Sequence, residues 1–188
     1  MSRSRLSASS STILQDLVVR RYLGIAVAAT ALDLMTKEAA VRLLGNTGFV
    51  TITDRLSFTL VWNTGTAGGL MLGPGTWLLN VLMTVLALGL VLSVVRPMAA
   101  VDPRATMAMG LVSGGAIGNL LSMVAGPHGV ADFIGVRLTE DTTMVANVAD
   151  LFLWSGSLLL VPVGMTLYRL AKLERAQRAV PNSKAKLA

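Results

Sequence analysis

Three stretches of this chain are as long as a bilayer is thick and almost free of charge: residues 76–95, 106–125 and 146–168. A helix rises about 1.5 Å per residue, so some 20 residues cross the ~30 Å hydrocarbon layer. Inside that layer the backbone must satisfy its own hydrogen bonds, which predicts helices for all three. The first has Asn80 as its one strongly polar side chain. Composition agrees, because 53% apolar and 14% charged residues cannot cover a water-facing surface. The net charge of +6 raises nucleic acid as a partner, yet twelve of the sixteen basic residues lie at the two chain ends and in the 96–104 loop. That is a topology signal, so no nucleic acid is expected. The absence of cysteine removes disulfides and thiolate chemistry, and His128, the lone histidine, argues against a metal site or a Ser-His pair.

Residues 1–21 are Ser- and Arg-rich and read as a cytoplasmic tail, with a weak amphipathic signal over 6–19. The apolar run from Tyr22 resembles a signal peptide at Ala29-Thr30-Ala31, but helical character continues to Leu44, long enough to span, and a retained first helix is the better reading. The period then changes. Val50, Ile52, Leu56, Phe58, Leu60 and Trp62 alternate with Thr51, Thr53, Arg55, Ser57 and Thr59, as strands with one wet face do, with a turn at Asp54-Arg55. Strand edges cannot face lipid, so this piece belongs outside the membrane. Asn63-Thr64-Gly65 and the glycines at 68, 69, 73 and 75 then lead back towards it. Counting basic residues puts both termini in the cytoplasm and the inserts 45–75 and 126–145 outside. The expected fold is an all-α membrane protein: a four-helix bundle (about 22–44, 76–95, 106–125 and 146–168) with a small extracytoplasmic β-rich insert between helices 1 and 2. Residues 22–170 make the membrane domain, and 171–188 a basic cytoplasmic tail.

Two carboxylates stand out. Asp150 lies in the first turns of the last span, after Asn147, and Asp132 lies in a polar loop flanked by Val130-Ala131 and Phe133-Ile134. Taken alone, Asp150 is explained by the helix dipole and Asp132 by solvent exposure. The 17 residues between them allow the loop to fold back and join them. Two carboxylates in one desolvated pocket share a proton, so one can deprotonate water while the other polarises a carbonyl. Gly110, Gly114 and Gly118 recur every four residues, better read as a helix-packing face than as a phosphate loop. Gly115, Asn119 and Ser122 share a neighbouring face. Asp33 and Lys37, an i,i+4 pair, read as a brace first and a headgroup contact second.

Asp33-Leu34-Met35-Thr36-Lys37, Asn63-Thr64-Gly65-Thr66-Ala67, Gly114-Gly115-Ala116-Ile117-Gly118-Asn119, Val130-Ala131-Asp132-Phe133-Ile134 and Asn147-Val148-Ala149-Asp150 appear in this order. The series resembles the lipoprotein signal peptidase (signal peptidase II) family over residues 22–168. The resemblance implies a bacterial inner-membrane aspartic peptidase that removes signal peptides from prolipoproteins before a diacylglyceryl-modified cysteine. Asp132 and Asp150 fall on its catalytic aspartates; Asn63, Gly65, Asn119, Asn147, Asp33 and Lys37 are the expected substrate-side residues. The expected partners are a prolipoprotein and membrane lipids, for a monomer without cofactor or metal. Four positions depart from the pattern. Ser122-Met123 replaces the family's Asp-Arg, Gly68 replaces a Phe, and Ala146 stands where an aromatic is usual. Losing the pair together keeps net charge constant but removes a guanidinium with up to five donors. The alternative reading is therefore a non-catalytic or substrate-shifted relative that binds lipopeptide or a membrane partner. A transporter fits poorly, since the spans show no inverted repeat.

Overall fold

The computed structural model describes residues 3–64, 73, 75–126 and 128–179. Their elements run α1 (Arg3–Leu44), β1 (Phe49–Thr51), β2 (Leu56–Asn63), α2 (Thr76–Val101), α3 (Arg104–Ala125), β3 (Val130–Arg137), β4 (Thr143–Ala146) and α4 (Val148–Ala179). Among them α2, α3 and α4 are long and apolar enough to cross a membrane. α1 is longer still but carries Arg20, Arg21, Asp33, Lys37 and Glu38 along its length. The helix already begins at Arg3, through the stretch that the sequence assigns to a tail, and α4 likewise continues past residue 170 to Ala179. α2 runs on through Pro97 to Val101, so the turn to α3 is shorter than the expected 96–104 loop.

The main correction concerns the second insert. Asp132 does not lie in a polar loop but on β3, and the mostly helical fold carries a larger sheet than the first insert alone would make. The strands form one antiparallel sheet in the order β1-β2-β3-β4. Both inserts therefore build it, not the first alone. The run Val130-Ala131-Asp132-Phe133-Ile134 hid this because it lacks apolar/polar alternation. β3 is covered on both faces and buried from Val130 to Phe133, and such strands read as continuous apolar runs. Phe133 packs with Ala40 and Leu44, seating the sheet on the end of α1. The link from α1 into the sheet turns at Gly48, whose φ of 70° suits glycine and whose N–H reaches Leu44 O at 2.7 Å.

The expected two-residue alternation of 49–62 is interrupted by a bulge. Phe58 pairs with Ile134 and Val61 with Asp132, so Thr59 and Leu60 together oppose Phe133. Two residues against one switch the parity of β2 relative to β3. Without the bulge Asn63 would turn to the opposite face from Asp132. With it, Asn63 sits diagonally across from Asp132 on the same face, within side-chain reach.

α3 is the hub of the bundle, held against α1 on one side and α4 on the other. A Cβ at Gly114 would lie 2.5 Å from Ala29 Cβ and 2.7 Å from Ala26 O on α1. A Cβ at Gly115 would lie 2.5 Å from Ala149 O on α4. Small residues thus let three backbones approach, where dispersion and polar contacts replace the hydrophobic driving force. Tyr22 Oη donates to Ser113 Oγ at 2.8 Å and Thr30 Oγ1 to Gly114 O at 3.0 Å, locking α1 to α3. Gly114→Val is expected to destabilise the protein by about 1–3 kcal/mol. Gly89→Ala, where a Cβ meets nothing within 4 Å, is expected to be neutral or stabilising by up to ~1 kcal/mol. Thermal unfolding in detergent checks both.

Candidate active site

Asn147 is where the polar groups converge. Its Nδ2 donates to Asp132 Oδ1 at 2.6 Å, and its Oδ1 accepts the Asp150 N–H at 3.1 Å. In return, Asp150 Oδ2 accepts the Asn147 N–H at 3.0 Å. The last two bonds are a reciprocal cap in which the residue before α4 and the third residue of the helix satisfy each other's amides. The first bond ties that cap to β3. Asn147 is 1% exposed, so water does not compete for these bonds.

The other oxygen of Asp132, Oδ2, accepts from Asn63 Nδ2 at 3.2 Å across the β2 bulge. Asp150 Oδ1 accepts from Asn119 Nδ2 at 3.1 Å. Asn119 Oδ1 in turn accepts from Lys37 Nζ at 2.7 Å, and Lys37 Nζ also reaches Asp33 Oδ2 at 2.7 Å. Asp33 Oδ1 accepts the Ala149 N–H at 2.8 Å. A continuous chain therefore runs from Asn63 through Asp132, Asn147, Asp150, Asn119 and Lys37 to Asp33, and closes on the start of α4. The Asn119 and Asn147 amides are fixed in orientation, because in each the carbonyl and the NH2 have different partners.

The structure brings together Asn63, Asp132, Asn147, Asp150, Asn119, Lys37 and Asp33, residues the sequence singled out. Asp33 is fully buried and Lys37 is 5% exposed, so both support the site from behind and are closed to a headgroup. Asp33 fits only because Gly118 has no Cβ; one there would collide with its carboxylate. Ser122 does not join. Its Oγ donates back to Gly118 O at 2.9 Å within its own helix, and the Met123 carbonyl accepts from Trp77 Nε1 at 3.1 Å. Gly65 and Gly68 lie outside the described residues. Three features were missed. The Asn147/Asp150 cap has a local signal, an Asx residue followed three later by an acid. The Asp33 contact to Ala149 has none, as 116 positions separate them. Nor does the Trp62–His128 ring contact, with centroids 5.1 Å apart. No group of three His, Cys, Asp or Glu side chains suited to a metal occurs among the described residues.

Burial pushes the Asp132 carboxyl above the ordinary range, and the nearby Asp150 charge adds to this, while the Asn147 and Asn63 donors pull the other way. A raised folded value means the native state holds this proton more tightly than the unfolded chain. The resulting stabilisation is complete below the ordinary value of 3.8 and is lost as pH rises through the folded value. Melting temperatures of wild type and Asp132→Asn, compared across pH, should therefore differ with a slope above 3.8: wild type loses stability relative to the variant as pH rises. A parallel pair of curves would mean Asp132 titrates normally.

Removing one member of the buried pair strands the other. Lys37→Met is expected to cost about 3–5 kcal/mol. Asp33→Asn/Lys37→Met should cost clearly less, since an Asn oxygen still accepts the Ala149 N–H and no charge is left unpaired. A double-mutant cycle in chemical or thermal unfolding reads the coupling.

A buried carboxylate, Asp132, and a half-buried one, Asp150, thus lie cross-tied by amides at the junction of a membrane-length helix and a small sheet. The chain belongs to the signal peptidase II family: the model described as "Signal peptidase (SPase) II" matches residues 25–165. It is 33% identical over 180 residues to a lipoprotein signal peptidase of Mycobacterium avium, covering 91% of this chain and 94% of that one. A lipoprotein signal peptidase of Aquifex aeolicus is 33% identical over 141 residues, 74% and 83% of the two chains. A solved structure described as a bacterial membrane enzyme shares the fold, with a TM-score of 0.62 at 23% identity over 86% of this chain and 93% of that one.

Proposed function

We propose that this protein is a membrane aspartic endopeptidase that removes the signal peptide from prolipoproteins ahead of a lipid-modified cysteine. The observation that carries the reading is the joint at Asn147, which holds Asp132 and Asp150 in one hydrogen-bonded unit within a signal peptidase II chain. In this account the pair shares one proton, and burial favours its resting on Asp132. Asp150 takes a proton from water as the water oxygen attacks the scissile carbonyl. The Asp132 proton polarises the carbonyl oxygen, and a proton then passes to the leaving amine as the tetrahedral intermediate collapses. Asn119 and Asn147 keep the carboxylates aimed, and Lys37 acts through Asn119. The chemistry asks for no metal or cofactor.

The reading includes α1 as a fourth span. Its charges are tolerated because Asp33 and Lys37 neutralise each other inside the bundle. Both termini face the cytoplasm and the sheet lies on the extracytoplasmic surface, following the distribution of basic residues. The bundle acts as a monomer in the bacterial inner membrane, on a substrate whose lipid lies beside it in the bilayer.

A second reading, a substrate-shifted or non-catalytic relative, is favoured by one observation. The Ser122 hydroxyl is spent inside α3, and Met123 brings no cation, where the family's pattern carries Asp-Arg. Cleavage of a diacylglyceryl-modified reporter by the purified protein separates the two. The peptidase reading expects cleavage, with a loss of about 10²–10⁴-fold in Asp132→Asn and in Asp150→Asn. Lipopeptide binding without turnover, unchanged by Asp132→Asn, supports the non-catalytic relative. A large gain of activity in Ser122→Asp/Met123→Arg marks a shifted substrate.

A further inference from the structure

At the end of the bundle away from the sheet, a cleft of about 1000 Å³ opens between α1 and the α2–α3 turn. That is the upper end of the ~300–1,000 Å³ typical of small-molecule sites. Its walls are apolar, including Leu17, Ile25, Pro97 and Met107, and two arginines line it, Arg21 from α1 and Arg96 from α2. Arg104 nearby is already engaged: its hydrogen bonds hold the Asp102 carboxyl down to about 2, with an ion pair of 2.7 Å. Among the described residues Arg21 and Arg96 make no ion pair. Next to each in sequence, Tyr22 and Val95 pack together with Met109 and hold α1, α2 and α3 to one another. The cleft thus joins two guanidinium groups, without an ion pair among the described residues, to an apolar trough at the α2–α3 turn.

We infer that this cleft holds an anionic diacyl phospholipid, its phosphate between Arg21 and Arg96 and an acyl chain along Leu17, Ile25, Pro97 and Met107. Guanidinium groups pair phosphate oxygens bidentately, and basic clefts between helices at the cytoplasmic side recognise anionic headgroups. A zwitterionic lipid would fill the trough equally well but leaves the two positive charges without net compensation. The site is distinct from the carboxylate site at the other end of the bundle, and it does not depend on catalysis.

The test is native mass spectrometry of the full-length protein in detergent with equal amounts of chain-matched phosphatidylglycerol and phosphatidylcholine. Wild type should retain one phosphatidylglycerol with a preference of about tenfold or more. Arg21→Gln/Arg96→Gln should abolish the preference, and Arg21→Lys/Arg96→Lys should keep most of it. Met107→Asp, which places a negative charge on the 53% exposed wall residue, should lower it independently. Equal retention of the two lipids by wild type overturns the proposal, as does a preference unchanged in the Gln variant. Thermal stabilisation by inorganic phosphate equal to that by phosphatidylglycerol would instead mark a free-phosphate site and also overturn it. Helicity by circular dichroism checks that each variant is folded, and the wild-type lipid comparison decides the matter even where a variant is not.

Discussion

The polar interior depends on one constraint: a carboxylate taken out of water needs donors from more than one direction. Asp132 receives one from β2 and one from the residue preceding α4. Asp150 receives one from α3 and one from the backbone just before its own helix. Asn147 hydrogen-bonds to both carboxylates, which ties the sheet to the start of α4. No buried side-chain nitrogen or oxygen among the described residues lacks a partner, which is the condition under which a low-dielectric network rigidifies rather than destabilises.

That network in turn needs close backbones. Gly118 clears room for Asp33, Gly114 seats α3 on Ala26 and Ala29, and Gly115 admits the carbonyl of Ala149. The helix faces that pack and the side chains that could react are thus one design. The glycine ladder brings α1 near enough for Asp33 to cap α4 and for Lys37 to reach Asn119. The Asp33–Lys37 ion pair lies behind the two carboxylates and compensates itself, so its value is orientation more than net stability. The β2 bulge does the same on the other side, since it alone turns Asn63 onto the face of Asp132.

Much of this was legible in the residues. The apolar runs marked α2, α3 and α4, and the four-residue glycine spacing marked the packing face of α3. The alternation from Val50 to Trp62 marked β1 and β2, with the turn at Asp54-Arg55. β3 was not legible, because burial on both faces erased its alternation, and Asp132 therefore read as a loop residue. The bulge was not legible either: nothing in Thr59-Leu60 announces an extra residue until the partner strand is known. Asn119 and Ser122 lie three apart on one helix, yet only Asn119 reaches the carboxylates, because a serine hydroxyl is short and finds the carbonyl four residues back first. Contacts such as Asp33 with Ala149 arise only from tertiary packing and have no local signature.

The central proposal is that Asp132 and Asp150, joined through Asn147, work as one unit that shares a proton, which burial favours on Asp132. Infrared difference spectroscopy of the purified protein at neutral pH tests it directly, through the carbonyl stretch of a protonated carboxyl. The account predicts one protonated carboxyl band in wild type, lost in Asp132→Asn. Two ionised carboxylates in wild type, or a protonated band that survives unchanged in that variant, would contradict it.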